Sequence, residues 1–264
     1  MKALALDFDG VICDSGREVF ITALRTYAAL HPHSRWRHKL KDITAAGGPT
    51  RFDFHSDAEY QAFVQLQPLG NRAEDFGVAL KICEEKIGIS DQKSYYAYFK
   101  TQDADWLRRF HRRFYSERLA FRNESETTWL TLHQAYSPFI ELLRRHADTT
   151  LLAIVTAKDN DSVRRLLDHM NIAALFPAER TFDKETGRHK TTHLRVFSER
   201  ASLPMTAITF VDDKVNHLQG VAPLGVRCVL AGWGYNTPRE WQIAADEQFP
   251  VATLETAEEI LFYS

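Results

Sequence analysis

Two aspartates, Asp7 and Asp9, stand two residues apart at the end of a short apolar run, residues 3–6. If the backbone stays extended there, both carboxylates point to the same side. Two close anions repel unless a cation or hydrogen bonds compensate. A Mg²⁺ ion supplies that compensation and keeps room for waters and one phosphate oxygen. In such a setting Asp7 could attack phosphorus, while Asp9 could protonate the leaving group and later activate water. Gly10 would relieve crowding where the chain turns away. The competing reading of DFDG is an Asx-rich turn closing a buried strand.

Further groups of the same kind follow much later. Residues 207–211 run into Asp212-Asp213, a second carboxylate pair. Asp213 is the preferred Mg²⁺ ligand, with Asp212 either ligating or ordering a metal-bound water. Asn216 could bond one of these acids or cap the helix behind them. Thr156, after the run 151–155, could donate its hydroxyl to a phosphate oxygen, as could the backbone N–H groups that follow it. An ordinary cap would use the same residue. Lys190, in GRHKTTHL, could neutralise charge on a transferring phosphoryl group. Lys184 competes for that role, and a solvated lysine is the plain reading of either.

The elements that must position these groups are short apolar strands at 3–6, 151–155, 207–211 and 226–230. Between them, residues 138–146 and 162–170 carry apolar side chains at helical spacing. Strands alternating with helices predict a parallel α/β sheet, whose ligands gather outside the carboxyl ends of the strands. Those ends carry Asp7, Asp9, Thr156, Asp212 and Asp213. From residue 15 to about 134 the texture differs: helix-compatible stretches at 18–30, 75–86 and 103–119 have little strand-like alternation. We read an inserted helical domain at 15–134 between core segments 1–14 and 135–264. Its aromatics, including Trp36, Tyr60, Tyr95, Tyr96, Tyr98, Trp106 and Trp129, read as packing residues.

At 264 residues the chain can hold one elaborated domain or two smaller ones. Its formal net charge of −2 gives no global reason for a nucleic-acid or anionic-membrane partner. The basic run 108–114 would spread its charges around a helix, leaving Phe110 and Phe114 to share a face. Cys13, Cys83 and Cys228 lack metal-ligand spacing and suggest a reducing, cytoplasmic setting. The opening MKALALDFDG reaches charge too early for a signal peptide, and no later run has the length of a membrane span.

The whole arrangement resembles the haloacid dehalogenase-like phosphohydrolase superfamily. ALDFDGVICDS looks like its first motif, implying Asp7 as nucleophile and Asp9 as acid/base. VTAKD is similar to the second, with the phosphate-binding hydroxyl at Thr156. Lys190 stands at a family-like distance before TFVDDKVNHLQG, which looks like the fourth motif. The resemblance implies a Rossmann-like core, a helical cap domain and Mg²⁺. Two departures stand out: Asn216 and His217 occupy places where many members carry another acid, and the lysine motif lacks an adjacent proline. Retention of Asp9 argues against dehalogenation, whose ester intermediate needs no proton donor.

The expected reaction is hydrolysis of a small phosphorylated metabolite, as in phosphoglycolate phosphatase-like relatives. A phosphomutase, a phosphonate hydrolase and a non-enzymatic phosphoryl-ligand-binding protein are the alternatives. Within 47–51, Arg51 could bind a distal carboxylate or second phosphate, although a surface arginine is its simpler reading. Gly232-Trp233-Gly234-Tyr235-Asn236 resembles a family tail loop, in which Trp233 or Tyr235 either borders the entrance or packs in the core. Either a monomer or a homodimer is compatible with the sequence.

Overall fold

The computed structural model describes residues 2–70, 72–187 and 189–263. The unassigned positions include Arg188 of the GRHKTTHL segment and the outermost residues of the expected core, Met1 and Ser264. By its contacts the chain divides into two units, Met1–Asp14 with Gln134–Ser264, and Ser15–His133.

In the first unit the apolar runs form strands. β1 is Lys2–Leu6, and β2 is the two-residue Cys13–Asp14. After the insertion come β3 (Gln134–Ala135), β4 (Thr150–Val155), β5 (Thr181–Phe182), β6 (Ile208–Asp212), β7 (Arg227–Ala231) and β8 (Val251–Ala252). Among the described residues, six of these form one sheet in the order β5-β4-β1-β6-β7-β8, every neighbouring pair parallel. Ala3 pairs with Leu151 on one side and Ile208 on the other, so β1 is central. The chain leaves β1 toward β4 and later returns to its opposite side at β6. That reversal of order opens a crevice at the carboxyl ends of β1, β4 and β6. β2 and β3 form a separate antiparallel ribbon, Cys13 opposite Ala135 and Asp14 opposite Gln134.

The strands are apolar on both faces because helices cover both. Ala3, Ala5, Val155 and Phe210 pack with Leu194, Phe197, Leu218 and Ala244. Leu4, Leu6, Ile154 and Val211 alternate to the other face and are buried as well. The numbering of helices in this unit follows the seven of the insertion: α8 (Ser137–His146), α9 (Asn160–His169), α10 (Lys190–Ala201), α11 (Val215–Val221) and α12 (Pro238–Asp246).

The second unit is helical: α1 (Gly16–Leu30), α2 (Arg35–Ala45), α3 (Ala58–Leu66), α4 (Ala73–Glu85), α5 (Gln92–Lys100), α6 (Ala104–Glu124) and α7 (Glu126–Thr131). Asp57, Asp91, Asp103 and Ser125 cap helix starts by accepting from backbone N–H groups three residues on. Phe20 sits edge-on or tilted against Trp36, Phe54, Tyr60 and Phe63, with ring centres 5.1–6.5 Å apart. Phe110 and Phe114 share the buried face of α6, whereas Arg108 and Arg109 point outward to Asp105 and Arg113 to Glu117. Of the aromatics read as packing residues, Trp36, Tyr60, Tyr95, Trp106 and Trp129 are buried, and Tyr96 is exposed. Glu18 lies fully buried in α1, accepting from Thr22 (2.7 Å) and from both Nε (2.9 Å) and Nη2 (2.7 Å) of Arg118. No helix among the described residues is long and apolar enough to cross a membrane.

Candidate active site at the strand ends

Asp7 follows β1 directly, its N–H still donating to Val211 O at 3.0 Å. Its carboxylate accepts from Phe8 N at 2.7 Å. The chain then turns tightly, with the Phe8 carbonyl accepting from Ile12 and Cys13 N at 3.0 Å. Gly10 has φ +84°, and a β-carbon there would lie 2.3 Å from Asp213 Oδ2. Only glycine meets both demands at low cost.

Lys190 is the first residue of α10 and reaches back beneath this turn. Its ammonium donates to Val155 O at 2.6 Å and stands 2.7 Å from Asp7 Oδ1 and 3.4 Å from Asp212 Oδ2. Burial works against its charge, but Asp7, Asp212 and Asp213 more than offset that and hold the ammonium above its ordinary pKa. Lys184, the rival candidate, is exposed. Asp212 closes β6. It accepts from Lys214 N (2.9 Å), and His217 Nδ1 lies 3.0 Å from both carboxylate oxygens. Burial opposes its ionisation, yet the charges of His217 and Lys190 keep the carboxyl below the ordinary range. Asn216 is exposed on α11, so His217, one turn behind the acids, holds Asp212 in its stead.

Asp213 is held by a different segment. Its Oδ2 accepts from Tyr235 N at 2.8 Å, and Asn236 Nδ2 donates to its carbonyl at 3.1 Å. Oδ1 is buried with no hydrogen-bond partner among the described residues. Burial pushes this carboxyl well above the usual carboxylate range. The loop after β7 is fastened around it: Trp233 Nε1 donates to Val11 O (3.0 Å) and Tyr235 Oη to Asp14 Oδ1 (2.6 Å). Trp233 also packs on Phe139 with ring centres 4.8 Å apart. A β-carbon at Gly234 would come within 2.3 Å of Gly10 O, so this loop crosses the first turn backbone to backbone.

Thr156 follows β4 and is buried, its N–H donating to Phe182 O at 2.8 Å. Its Oγ1 accepts from Lys158 N at 3.1 Å, while the cap of α9 is Asp159. Lys158 adds a cation that the motifs do not single out. Its Nζ lies 2.9 and 3.2 Å from the two oxygens of Asp9. A lysine two residues past a strand-end threonine is the signal that could have flagged it. The structure therefore gathers Asp7, Lys190 and Asp212, with His217 added. Asp9 is engaged by Lys158, and Asp213 by the loop after β7. Arg51 is exposed in a turn after α2, in the helical unit.

The donor set suits a divalent cation. Ligand atoms of Asp7, Asp212 and His217 all lie within 4.8 Å of one another, and the Asp213 carboxylate oxygen is buried without a partner. Carboxylates are the ligands Mg²⁺ prefers, and an imidazole bonded to one of them acts as its orienting partner.

Parallel strands reversing order at an acid-and-lysine centre, with a helical insertion after β2, define a Rossmann-like α/β protein with its candidate site at the switch point. A family model described as haloacid dehalogenase-like hydrolase matches residues 1–225. The chain belongs to that family. Solved structures with the same fold include a haloacid dehalogenase-like family hydrolase from Streptococcus pneumoniae (15% identity, TM-score 0.64, covering 100% of this chain and 99% of that one). A predicted phosphoglycolate phosphatase from Haemophilus somnus 129pt is 19% identical at TM-score 0.61, over 98% and 97% of the two chains. A predicted phosphatase from Clostridium acetobutylicum is 12% identical at TM-score 0.64, over 100% of both. No curated protein sequence gave a significant match.

Proposed function

We propose that this hydrolase is a Mg²⁺-dependent phosphatase of small phosphomonoesters that carries the phosphoryl group on Asp7. The observation behind this reading is the buried contact of Lys190 with both Asp7 (2.7 Å) and Asp212 (3.4 Å) where three strands end. Asp7 Oδ attacks phosphorus as the ester P–O bond breaks, and the leaving oxygen takes a proton from Asp9. Water then attacks the aspartyl phosphate, giving its proton to Asp9, and inorganic phosphate departs with Asp7 restored. Lys190 neutralises charge on the equatorial oxygens, and the Thr156 hydroxyl donates to one of them. Asp7, Asp212 and Asp213 are the residues that would hold Mg²⁺, with Asp9 beside them; the bound ion would supply charge neutralisation for phosphate.

In this reading Arg51 would recognise a distal carboxylate or a second phosphate on the substrate. The predicted phosphoglycolate phosphatase among the structural neighbours makes phosphoglycolate the first substrate to try. A cytoplasmic setting is part of this reading, since Cys13, Cys83 and Cys228 lie far apart in the sequence without metal-ligand spacing. The test is phosphate release by purified protein with Mg²⁺ over a panel of small phosphomonoesters, with Asp7→Asn as control. Selective release by the wild type alone is expected. Equal release by folded Asp7→Asn protein would reject the covalent route.

A further inference from the structure

We propose that Lys158 is a positioning residue that holds the carboxyl of Asp9 in place for proton transfer, an inference that rests on the phosphatase reading above. The lysine side chain is 2% exposed, whereas that of Asp9 is 34% exposed. The buried partner is the fixed one. Lys158 N–H donates to Thr156 Oγ1 at 3.1 Å, and its carbonyl accepts from Lys184 N at 3.2 Å, so the backbone is held on both sides. Its Nζ also lies 5.9 Å from the centre of the Phe8 ring. The anchored lysine thereby dictates where the more exposed carboxyl sits.

Both contacts from Nζ go to Asp9, at 2.9 Å to Oδ1 and 3.2 Å to Oδ2. An ammonium has donors to spare, and a protonated carboxyl still keeps an acceptor oxygen. The same lysine can therefore hold Asp9 when it carries the proton and after it has released it. Asp9 follows Phe8 in a tight turn, and the lysine reaches it from the loop after β4, a separation of 149 residues. The fold thus supports Asp9 from the loop after β4, as Lys190 supports Asp7 from the start of α10. Misplacing a proton donor by about 1 Å can cost on the order of 10²-fold in rate, so such a support has a kinetic signature.

The signature is dependence on the leaving group. Lys158→Met keeps length and apolar bulk but removes the hold, and Lys158→Arg keeps the charge. For wild type and variants, kcat/KM would be measured with Mg²⁺ on p-nitrophenyl phosphate, which leaves without a proton, and on phosphoglycolate or another alkyl phosphate from the panel, which needs one. We expect Lys158→Met to lose about 10²-fold on the alkyl ester and no more than about threefold on the aryl ester, with Lys158→Arg recovering part of the loss. An equal loss on both esters would indicate general structural damage and overturn the inference. A rise in KM on both with kcat unchanged would make Lys158 a phosphate-binding residue, which also overturns it, as would no change at all. If wild type hydrolyses neither ester and matches Asp7→Asn, the phosphatase reading falls and takes this inference with it.

Discussion

Lys190 Nζ lies 2.7 Å from Asp7 Oδ1, and the same ammonium is 3.4 Å from Asp212 Oδ2. One buried cation thus holds two carboxylates that reach it from neighbouring strands, β1 and β6. Removing it leaves both acids facing each other with less compensation. Lys190→Met is expected to lower kcat by about 10²- to 10³-fold, the usual cost of losing one preorganised charge at a transition state. Steady-state kinetics checks this, and circular dichroism establishes that the variant is folded.

A divalent cation should stabilise this centre in the absence of substrate. Binding confined to the folded state raises stability by about 2.7 kcal/mol at a concentration 100 times Kd. Thermal melts in EDTA and in excess Mg²⁺ should therefore differ by several degrees, with the higher midpoint in Mg²⁺. Asp212→Asn should shrink that difference. An equal shift in wild type and variant would remove Asp212 from the ligand set.

Gly10 is expected to tolerate no side chain. Gly10→Ala would have to accommodate φ +84° and displace Asp213, whose Oδ2 would be 2.3 Å from the new carbon. Loss of activity together with a lowered melting midpoint is the expected result. Gly234→Ala should act similarly, because its carbon would strike Gly10 O.

In the helical unit, Arg118→Ala leaves the fully buried Glu18 carboxylate without its bidentate partner. Breaking a buried ion pair from one side costs about 3 kcal/mol or more. Urea unfolding should show the loss. Glu18→Gln combined with Arg118→Met should recover part of it, since no stranded charge remains.

His31 gives the same unit an acid sensitivity. Trp106 Nε1 donates to His31 Nε2 at 2.7 Å, which requires an unprotonated nitrogen there. Burial holds this imidazole below its ordinary value. The folded state therefore takes up the proton less readily than the unfolded chain. Its contribution is intact above about pH 6.5 and is lost as pH falls below that value. His31→Gln keeps an acceptor that does not titrate. Its melting midpoint should drop less than that of the wild type between pH 7 and pH 5.

The strand-end acids were legible because parallel strands buried on both faces are unbroken apolar runs, and the first polar residue after each run marks the crevice. The same logic missed β5 and β8, whose two residues each are too few to carry a pattern. Asp212 and Asp213 show another limit of spacing. Adjacent residues at a strand end diverge, but which one turns toward Asp7 depends on the register of β6 against β1. That register pairs Leu6 with Val211, placing Asp212 one step further on. His217 is visible only once α11 carries it back over Asp212. Lys158 needs a neighbour 149 residues away. The inserted helical unit was readable from its texture, and its aromatic packing from composition, although Tyr96 lies at the surface.

The ribbon of β2 and β3 has a consequence for how this chain can vary. Asp14 and Gln134 are directly paired partners, so the intervening 15–133 segment leaves and re-enters the α/β unit at one point. Closing that gap without the helices needs only a hairpin turn, and the entropy of joining the ends is small for so short a bridge. The helical segment is thus an exchangeable module. Its length and make-up can vary without a change in the register of the sheet.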